Sequence, residues 1–173
     1  MTKMPNISRL QKLKHRLFKE FYEKKEWWGD DQTILNQPGV AEKPLIVRKA
    51  LAIQQVCRDM PLELKEDELI IGIPTMSSVG FGHTFPQYET DEEAAEAAKL
   101  CLNRKSVWGH HPPYFPKVLT RGVHDIIAET EQRLADTPES EGETREFYEA
   151  VKVALQGTEI LSLRYALAAE LKA

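Results

Sequence analysis

Histidine and cysteine are the residue types in this chain best suited to catalysis or metal binding: it has five histidines and two cysteines. Two of the histidines, His110 and His111, are adjacent. Neighbouring side chains on a constrained loop point apart, so this pair is poorly placed to share one metal ion. No HExxH or CxxC pattern supports them. The sequence therefore predicts no metal site.

The two cysteines offer no better candidate for a nucleophile. Neither Cys57 nor Cys101 has a histidine or acid at a spacing that suggests activation, and the chain has no Gly-x-Ser-x-Gly. Cys57 falls on the apolar side of a predicted helix, where cysteine is usually a small, unreactive hydrophobe. Gly80-x-Gly82 is not followed by the Lys-Ser/Thr of a phosphate-binding loop. Residue types and spacing alone select no catalytic group.

The histidine pair lies in a stretch, residues 107–131, whose two halves differ in character. Gly109 and three prolines rule out regular structure in the first half; the prolines are at 112, 113 and 116. The second half has apolar residues and Gly122 at helical spacing, and Pro116 suits the first turn of a helix. The pattern predicts a stiff loop that delivers histidines and aromatic residues onto the start of an amphipathic helix.

This stretch resembles the glycyl radical enzymes, the family of pyruvate formate-lyase and its dehydratase and decarboxylase relatives. The residues that carry the resemblance are Gly109-His110-x-x-x-Tyr114-Phe115-x-Lys117-Val118-Leu119-x-x-Gly122-x-x-x-Ile126. The family pattern has Asp-Tyr where this chain has Tyr114-Phe115. An earlier block is also similar to the family, in Arg48-Lys49-Ala50-Leu51-Ala52, Met60-Pro61-Leu62-Glu63-Leu64, Asp67-Glu68-Leu69-Ile70-Ile71-Gly72 and Phe85-Pro86-Gln87-Tyr88.

The resemblance implies that residues 1–173 are the N-terminal part of a pyruvate formate-lyase-like domain. The expected fold class is mainly α, with a short strand at 67–72 and long Gly/Pro loops, similar to the helical part outside the family's ten-stranded α/β barrel. The family's Cys-x-Glu and Arg-Val-x-Gly-Tyr motifs do not occur in the chain. We therefore expect a truncated chain that has no catalytic residue of its own and is inert alone.

For one residue, the resemblance implies a role in substrate binding. In the polyol dehydratase branch, the histidine of the Gly-His loop hydrogen-bonds a substrate hydroxyl, and by motif match that residue is His110. The alternative is a structural histidine. The family also implies a radical lyase acting on a small polar substrate, a glycyl radical installed by an S-adenosylmethionine-dependent activating enzyme, and a homodimer in the cytoplasm of an anaerobe. No cofactor is expected to bind this chain itself.

Composition and charge narrow the remaining possibilities. No apolar run approaches the ~20 residues of a membrane span, and no secretory signal follows the basic N-terminus. Residues 1–25 carry eight Lys or Arg against two Glu, within a chain of net charge −4. Because no aromatic residues are interleaved with these cations in the manner of single-strand binders, we predict no nucleic-acid binding. The competing hypothesis is a non-catalytic helical interaction module that uses this basic helix or the Trp27-Trp28 loop.

Hydrophobic periodicity and breakers predict five helices. Their expected ranges are about 7–26, 45–59, 90–103, 116–134 and 144 to the end. Asn6 or Ser8 is the expected cap of the first helix, and Thr90 opens the third with a capping box to Glu93. Two apolar stripes are expected: Ile46, Ala50, Ile53 and Val56 or Cys57 on the second helix, and Phe147, Val151, Ala154, Thr158, Leu161, Tyr165 and Ala168 on the last. Residues 27–44 and 72–90 read as loops, the latter at the surface.

Overall fold

The structure, a computed structural model, describes residues 7–22, 29, 31–62, 64, 86–101 and 114–172, with side chains in the first helix described only at 8–15. The described part contains five helices: α1 (Ile7–Tyr22), α2 (Leu45–Asp59), α3 (Asp91–Lys99), α4 (Phe115–Asp136) and α5 (Gly142–Lys172). An isolated parallel bridge joins Thr33 to Gln87. The prediction of a mainly α chain is confirmed. The strand predicted at 67–72 lies outside the described residues.

Helices α2 and α5 pack against each other and form the body of the described structure. They approach closely where Gly157 of α5 lies against α2: a Cβ at Gly157 would be 3.0 Å from the Cα of Gln54. Beyond this crossing, Arg164 of α5 donates to the carbonyls of Cys57 and Met60, both at 2.7 Å. A cation at the last carbonyls of a helix compensates acceptors that lack intrahelical partners. The end of α2 is thus tied to α5.

The apolar stripes predicted on these two helices are partly wrong. On α2, Ile46 is exposed, and the buried residues are Val47, Arg48, Ala50, Ala52 and Val56. On α5, Phe147 and Thr158 are exposed, and the buried residues are Ala150, Val153, Gly157 and Tyr165. The reason is that the close approach at Gly157 sets the contact line between α2 and α5. The stripe predicted on α5 follows helical spacing and does not include Gly157.

The segment before α2 and residues 86–90 complete the core on the other side of α2. Ile34, Val40 and Tyr88 are buried together with Ala52, Val56 and Met60. Backbone hydrogen bonds hold the two segments together: Ile34 N–H donates to Gln87 O at 3.0 Å, and Gln87 N–H donates to Gln32 O at 2.8 Å. For residues 86–90, the prediction of a surface loop is therefore wrong, since Pro86, Tyr88 and Glu89 are buried.

A buried arginine joins α2, α3 and the segment between them. The guanidinium of Arg48, which is 4% exposed, forms two hydrogen bonds to the carboxylate of Glu93, at 2.9 and 2.5 Å. It also donates to the carbonyls of Tyr88 and Lys43, each at 2.8 Å. Hydrogen bonding from Arg48 is the main reason that the pKa of Glu93 lies below its ordinary value. The buried charge of Arg48 is therefore paired with a carboxylate and hydrogen-bonded to two carbonyl groups, as the burial of a charged group requires.

Helix α3 has the predicted start and an earlier end. Thr90 and Glu93 form the reciprocal capping box, which confirms that prediction. The helix ends at Lys99 and not near Asn103. Cys101 has φ 52°, in the left-handed region that commonly terminates helices. The run of alanines predicts helix continuation by propensity, and the left-handed residue overrides it.

The ends of the other helices differ from prediction in smaller ways. Ser8 lies inside α1 and cannot cap it, while Asn6, Trp27 and Trp28 lie outside the described residues. Helix α2 has its predicted range, and α5 begins two residues earlier than expected. None of the helices in the described ranges is long and apolar enough to cross a membrane.

Candidate functional site

The loop that the sequence singles out lies almost entirely outside the described residues. Residues 102–113 are not described, and they include His110 and His111. The substrate-contact role of His110 therefore stays a prediction. The described chain resumes at Tyr114, at the start of α4, and the loop is directly joined to this residue. The candidate site is therefore described from the start of α4.

The start of α4 presents two aromatic residues to solvent. Tyr114 caps the helix without a side-chain hydrogen bond and is 72% exposed, and Phe115 is 55% exposed. Pro116 lies in the first turn, as predicted, where the missing N–H costs no helical hydrogen bond. The Tyr114 carbonyl accepts from the N–H groups of Lys117 and Val118, at 3.1 and 3.3 Å. This first turn is regular, so the loop joins a defined helical start.

Seven residues into α4, the helix breaks at Gly122. Its backbone has φ 75° and ψ 165°, far from helical values. This conformation is accessible essentially to glycine alone, because a Cβ would clash with the residue's own backbone. The predicted single helix from Pro116 to Leu134 is thus wrong at this point. The chain forms a short first half, 115–121, and a longer second half, 123–136.

One carboxylate connects the two halves of α4. Oε2 of Glu129, in the second half, pairs with Lys117 Nζ at 3.0 Å and also with the guanidinium of Arg121, both in the first half. Its other oxygen, Oε1, accepts from Arg133 Nη2 at 3.1 Å and Nε at 3.3 Å. We call Lys117, Arg121, Glu129 and Arg133 the Glu129 cluster. It places three cationic side chains around a single anion.

These contacts strongly favour the ionised form of the carboxyl. Hydrogen bonds from Lys117, Arg121 and Arg133, in that order, lower the pKa of Glu129 from 4.5 to about 2. Glu129 is therefore charged throughout the physiological range. The cluster as a whole has a net charge of about +2, since three cations surround one carboxylate. It lies at the protein surface, where salt screens such interactions.

The two cysteines occupy different environments. Cys57 is half-buried beside Gly157, and burial raises the pKa of its thiol, with Arg164 opposing that shift. A raised pKa keeps the thiol protonated and weakly nucleophilic near neutral pH. Cys101 is exposed at the end of α3. The structure thus agrees with the interpretation of Cys57 as a packing residue.

In the described part of the chain, His124 contacts an acidic side chain. His124 Nδ1 lies 3.2 Å from Glu159 Oε1, a contact between α4 and α5 at the surface. In the ranges that the structure describes, no group of three or more His, Cys, Asp or Glu side chains is arranged to hold a metal ion. His124 serves as a contact between helices.

The described residues thus form a body of α2 and α5 with the broken helix α4 beside it, and the loop that contains His110 directly precedes α4 in the sequence. A family model, pyruvate formate lyase-like, matches residues 83–173, slightly more than half of the chain. The chain belongs to the pyruvate formate lyase-like family. Searches of curated proteins and of solved structures found no match. This match supports the resemblance to the glycyl radical enzyme family. Full-length members of that family carry a glycyl radical generated by an S-adenosylmethionine-dependent activating enzyme.

Sequence reasoning missed Glu129 and misread Gly122. Glu129 sits in a predicted helix among other acids, where a charged residue is normally a solvated one. Gly122 fits the helical spacing that predicts one continuous helix from Pro116 to Leu134. A glycine in the middle of a helix costs about 1 kcal/mol relative to alanine. That cost is the feature of the sequence that could have indicated a break in α4. The family pattern contains this glycine, and the structure shows a physical reason for it.

Proposed function

We propose that the chain is the N-terminal segment of a glycyl radical enzyme that cleaves a C–C or C–X bond in a small polar substrate, as a dehydratase, decarboxylase or other lyase. The observation that carries this proposal is the family match, because it covers the Gly109-His110 loop and the whole of α4. The matched range begins at His83, so the similarity at 48–72 adds only sequence resemblance.

Within this segment, His110 is the residue proposed to contact the substrate. A neutral imidazole can both donate and accept a hydrogen bond, which suits a substrate hydroxyl or carboxylate. Gly109 permits close approach of the backbone, and the two prolines after His111 stiffen the loop. A side chain with little entropy left to lose binds more tightly than a mobile one. His110 favours the dehydratase and lyase branches over pyruvate formate-lyase itself.

The chemistry that breaks the bond would come from elsewhere in the full-length enzyme. The glycyl radical supplies hydrogen-atom abstraction through a cysteine, and neither of the corresponding motifs occurs in these residues. On this proposal the chain binds and orients substrate, and it is inert as a separate polypeptide. Its partners are the activating enzyme and a second copy of the full-length enzyme, and its compartment is the cytoplasm.

The test is His110→Ala in the full-length enzyme, with His111→Ala as the matched control. Loss of one well-placed hydrogen bond to a polar substrate costs about 1–3 kcal/mol, so turnover should fall by about 5- to 160-fold. The glycyl radical signal should be unchanged, because His110 has no part in radical installation. Turnover and radical yield are measured on the same preparations. Normal turnover in His110→Ala, or greater damage in His111→Ala, would overturn the assignment.

A second candidate function has one observation in its favour. Leu163, Leu167 and Leu171 form an exposed apolar stripe along the last three turns of α5, and Leu171 is 91% exposed. Such a stripe on a helix suits a partner surface and is consistent with a non-catalytic helical interaction module. It equally suits the remaining part of a larger enzyme. The DNA sequence downstream of the Ala173 codon discriminates: an open frame with Cys-x-Glu and Arg-Val-x-Gly-Tyr supports the enzyme, and its absence supports the module.

A further inference from the structure

The Glu129 cluster spans a distance that a straight helix could not close. Lys117 and Glu129 are twelve residues apart, which is about 18 Å along the axis of a continuous helix at 1.5 Å per residue. Their charged atoms are nevertheless 3.0 Å apart. The two side chains together cannot reach across 18 Å. The break at Gly122 therefore turns the first half of α4 back toward the second half, with Lys117 and Arg121 facing Glu129.

The Glu129 ion pairs join the two halves of α4 at the point where the helix is interrupted. The torsions of Gly122 break the helix, and a Cβ at Gly122 would meet no atom of the described residues within 4 Å. The side-chain contacts of Glu129 therefore contribute to the orientation of the first half. If the carboxylate were removed, Lys117, Arg121 and Arg133 would be left as three like charges around one point. Their repulsion would push the two halves apart.

We propose that Glu129 is a positioning residue: by pairing with Lys117 and Arg121 across the break, it sets the direction of the segment Tyr114–Arg121 relative to the body formed by α2 and α5. Because the proposed substrate loop is joined covalently to Tyr114, the same contact sets where that loop attaches. This second step rests on the proposed function. The first step concerns only the fold and can be tested separately.

The direct test measures the separation of the two halves of α4. Spin labels are attached at Leu119→Cys and Ala135→Cys, both exposed positions, in a Cys57→Ala, Cys101→Ser background of the 173-residue chain. In a straight helix these positions would be about 24 Å apart along the axis. We expect one shorter, narrow distance distribution with Glu129 present. Glu129→Gln should lengthen and broaden that distribution by several ångströms.

Two variants serve as matched controls. Glu131→Gln removes the same charge from an exposed position about 200° around the helix from Glu129, and it should leave the distribution unchanged. Glu129→Asp keeps the charge on a shorter side chain and should retain most of the short distance. A distribution that is identical in the presence and absence of Glu129 would overturn the proposal.

The functional arm uses the full-length enzyme. A displacement of about 1 Å in a positioning element can reduce rate up to about 100-fold; we expect Glu129→Gln to lower turnover about tenfold, with full radical yield. Glu129→Asp should recover turnover to within about threefold, and Glu131→Gln should match the parent. If distances respond but turnover does not, the link to the substrate loop is wrong. If the parent enzyme shows no radical lyase activity, the proposed function fails while the distances still decide the role of Glu129.

Discussion

The body formed by α2 and α5 and the start of α4 are held in place by different forces. The body buries apolar side chains, brings two helices into contact at Gly157 and encloses the Arg48 guanidinium with four hydrogen-bond contacts. The start of α4 exposes its aromatic residues and is tied back by ion pairs at the surface. Salt screens ion pairs at the surface much more strongly than it screens buried pairs such as that of Arg48.

The family motif lies in the region that surface ion pairs hold in place. Lys117 and Gly122 both belong to the resemblance to glycyl radical enzymes. In the structure one forms an ion pair across the break that the other creates. The body supplies a stable reference against which that motif is oriented. Each region can be disturbed separately, and the expected effects differ in size and in their dependence on solution conditions.

The largest effect is expected from Arg48→Ala, which attacks the body. The substitution removes the Arg48 hydrogen bonds from the carbonyls of Lys43 and Tyr88 and from the Glu93 carboxylate, which keeps its capping-box contact with Thr90. Removing one side of a buried pair costs about 3–5 kcal/mol. Because Glu93 retains some contact with water, we expect the lower end of that range, about 3 kcal/mol, in the free energy of unfolding. Urea denaturation measures it.

Arg58→Ala is the control, since Arg58 is exposed on the same helix and its loss should cost less than about 0.5 kcal/mol. The short distances at α4 should change in neither variant under native conditions. Equal destabilisation by the two substitutions would contradict the assignment of Arg48 as the link between α2, α3 and the segment 86–90.

An intermediate effect is expected from Gly157→Val at the helix crossing. A Cβ there would lie 3.0 Å from the Gln54 Cα, a backbone atom that cannot move aside without shifting α2. Overpacking of this kind typically costs about 1–3 kcal/mol. Gly142→Val, at a position with open space around it, should change the free energy of unfolding far less. A Gly157→Val variant as stable as its parent would show that the two helices are not in close contact.

The smallest effect is expected at the start of α4, and it depends on pH. The pKa of Glu129 is about 2 in the folded chain and 4.5 as the ordinary value, so its contribution to stability is present above about pH 5 and is lost as pH falls toward 2. The difference in free energy of unfolding between the parent and Glu129→Gln should therefore shrink over that interval. Added salt near neutral pH should shrink it as well.

Denaturation curves for the pair at several pH values measure this difference. Glu131→Gln again serves as the control and should show no such pH dependence. A parent-to-variant difference that is constant from pH 6 to pH 2 would mean that the charge of Glu129 does not stabilise the fold.

Local patterns were sufficient for much of the secondary structure. The range of α2, the capping box of Thr90 and Glu93, Pro116 in the first turn of α4 and the mainly helical class all follow from spacing, capping and propensity within a few residues. These features depend on interactions between residues that are close in the sequence, so local sequence patterns are enough to predict them. The family resemblance likewise needed only residues in order.

Long-range contacts decided the rest. Arg48 meets Glu93 across 45 residues, Gln54 lies against Gly157, and Glu129 reaches Lys117 only because Gly122 turns the helix back. Sequence spacing predicted an uninterrupted α4 and a different stripe on α5, because periodicity assumes regular torsions and an even contact surface. Gly122 breaks the first assumption because its positive φ interrupts the helix, and Gly157 breaks the second because its missing Cβ lets α2 and α5 approach closely. Tertiary packing alone determines where such glycines have these effects.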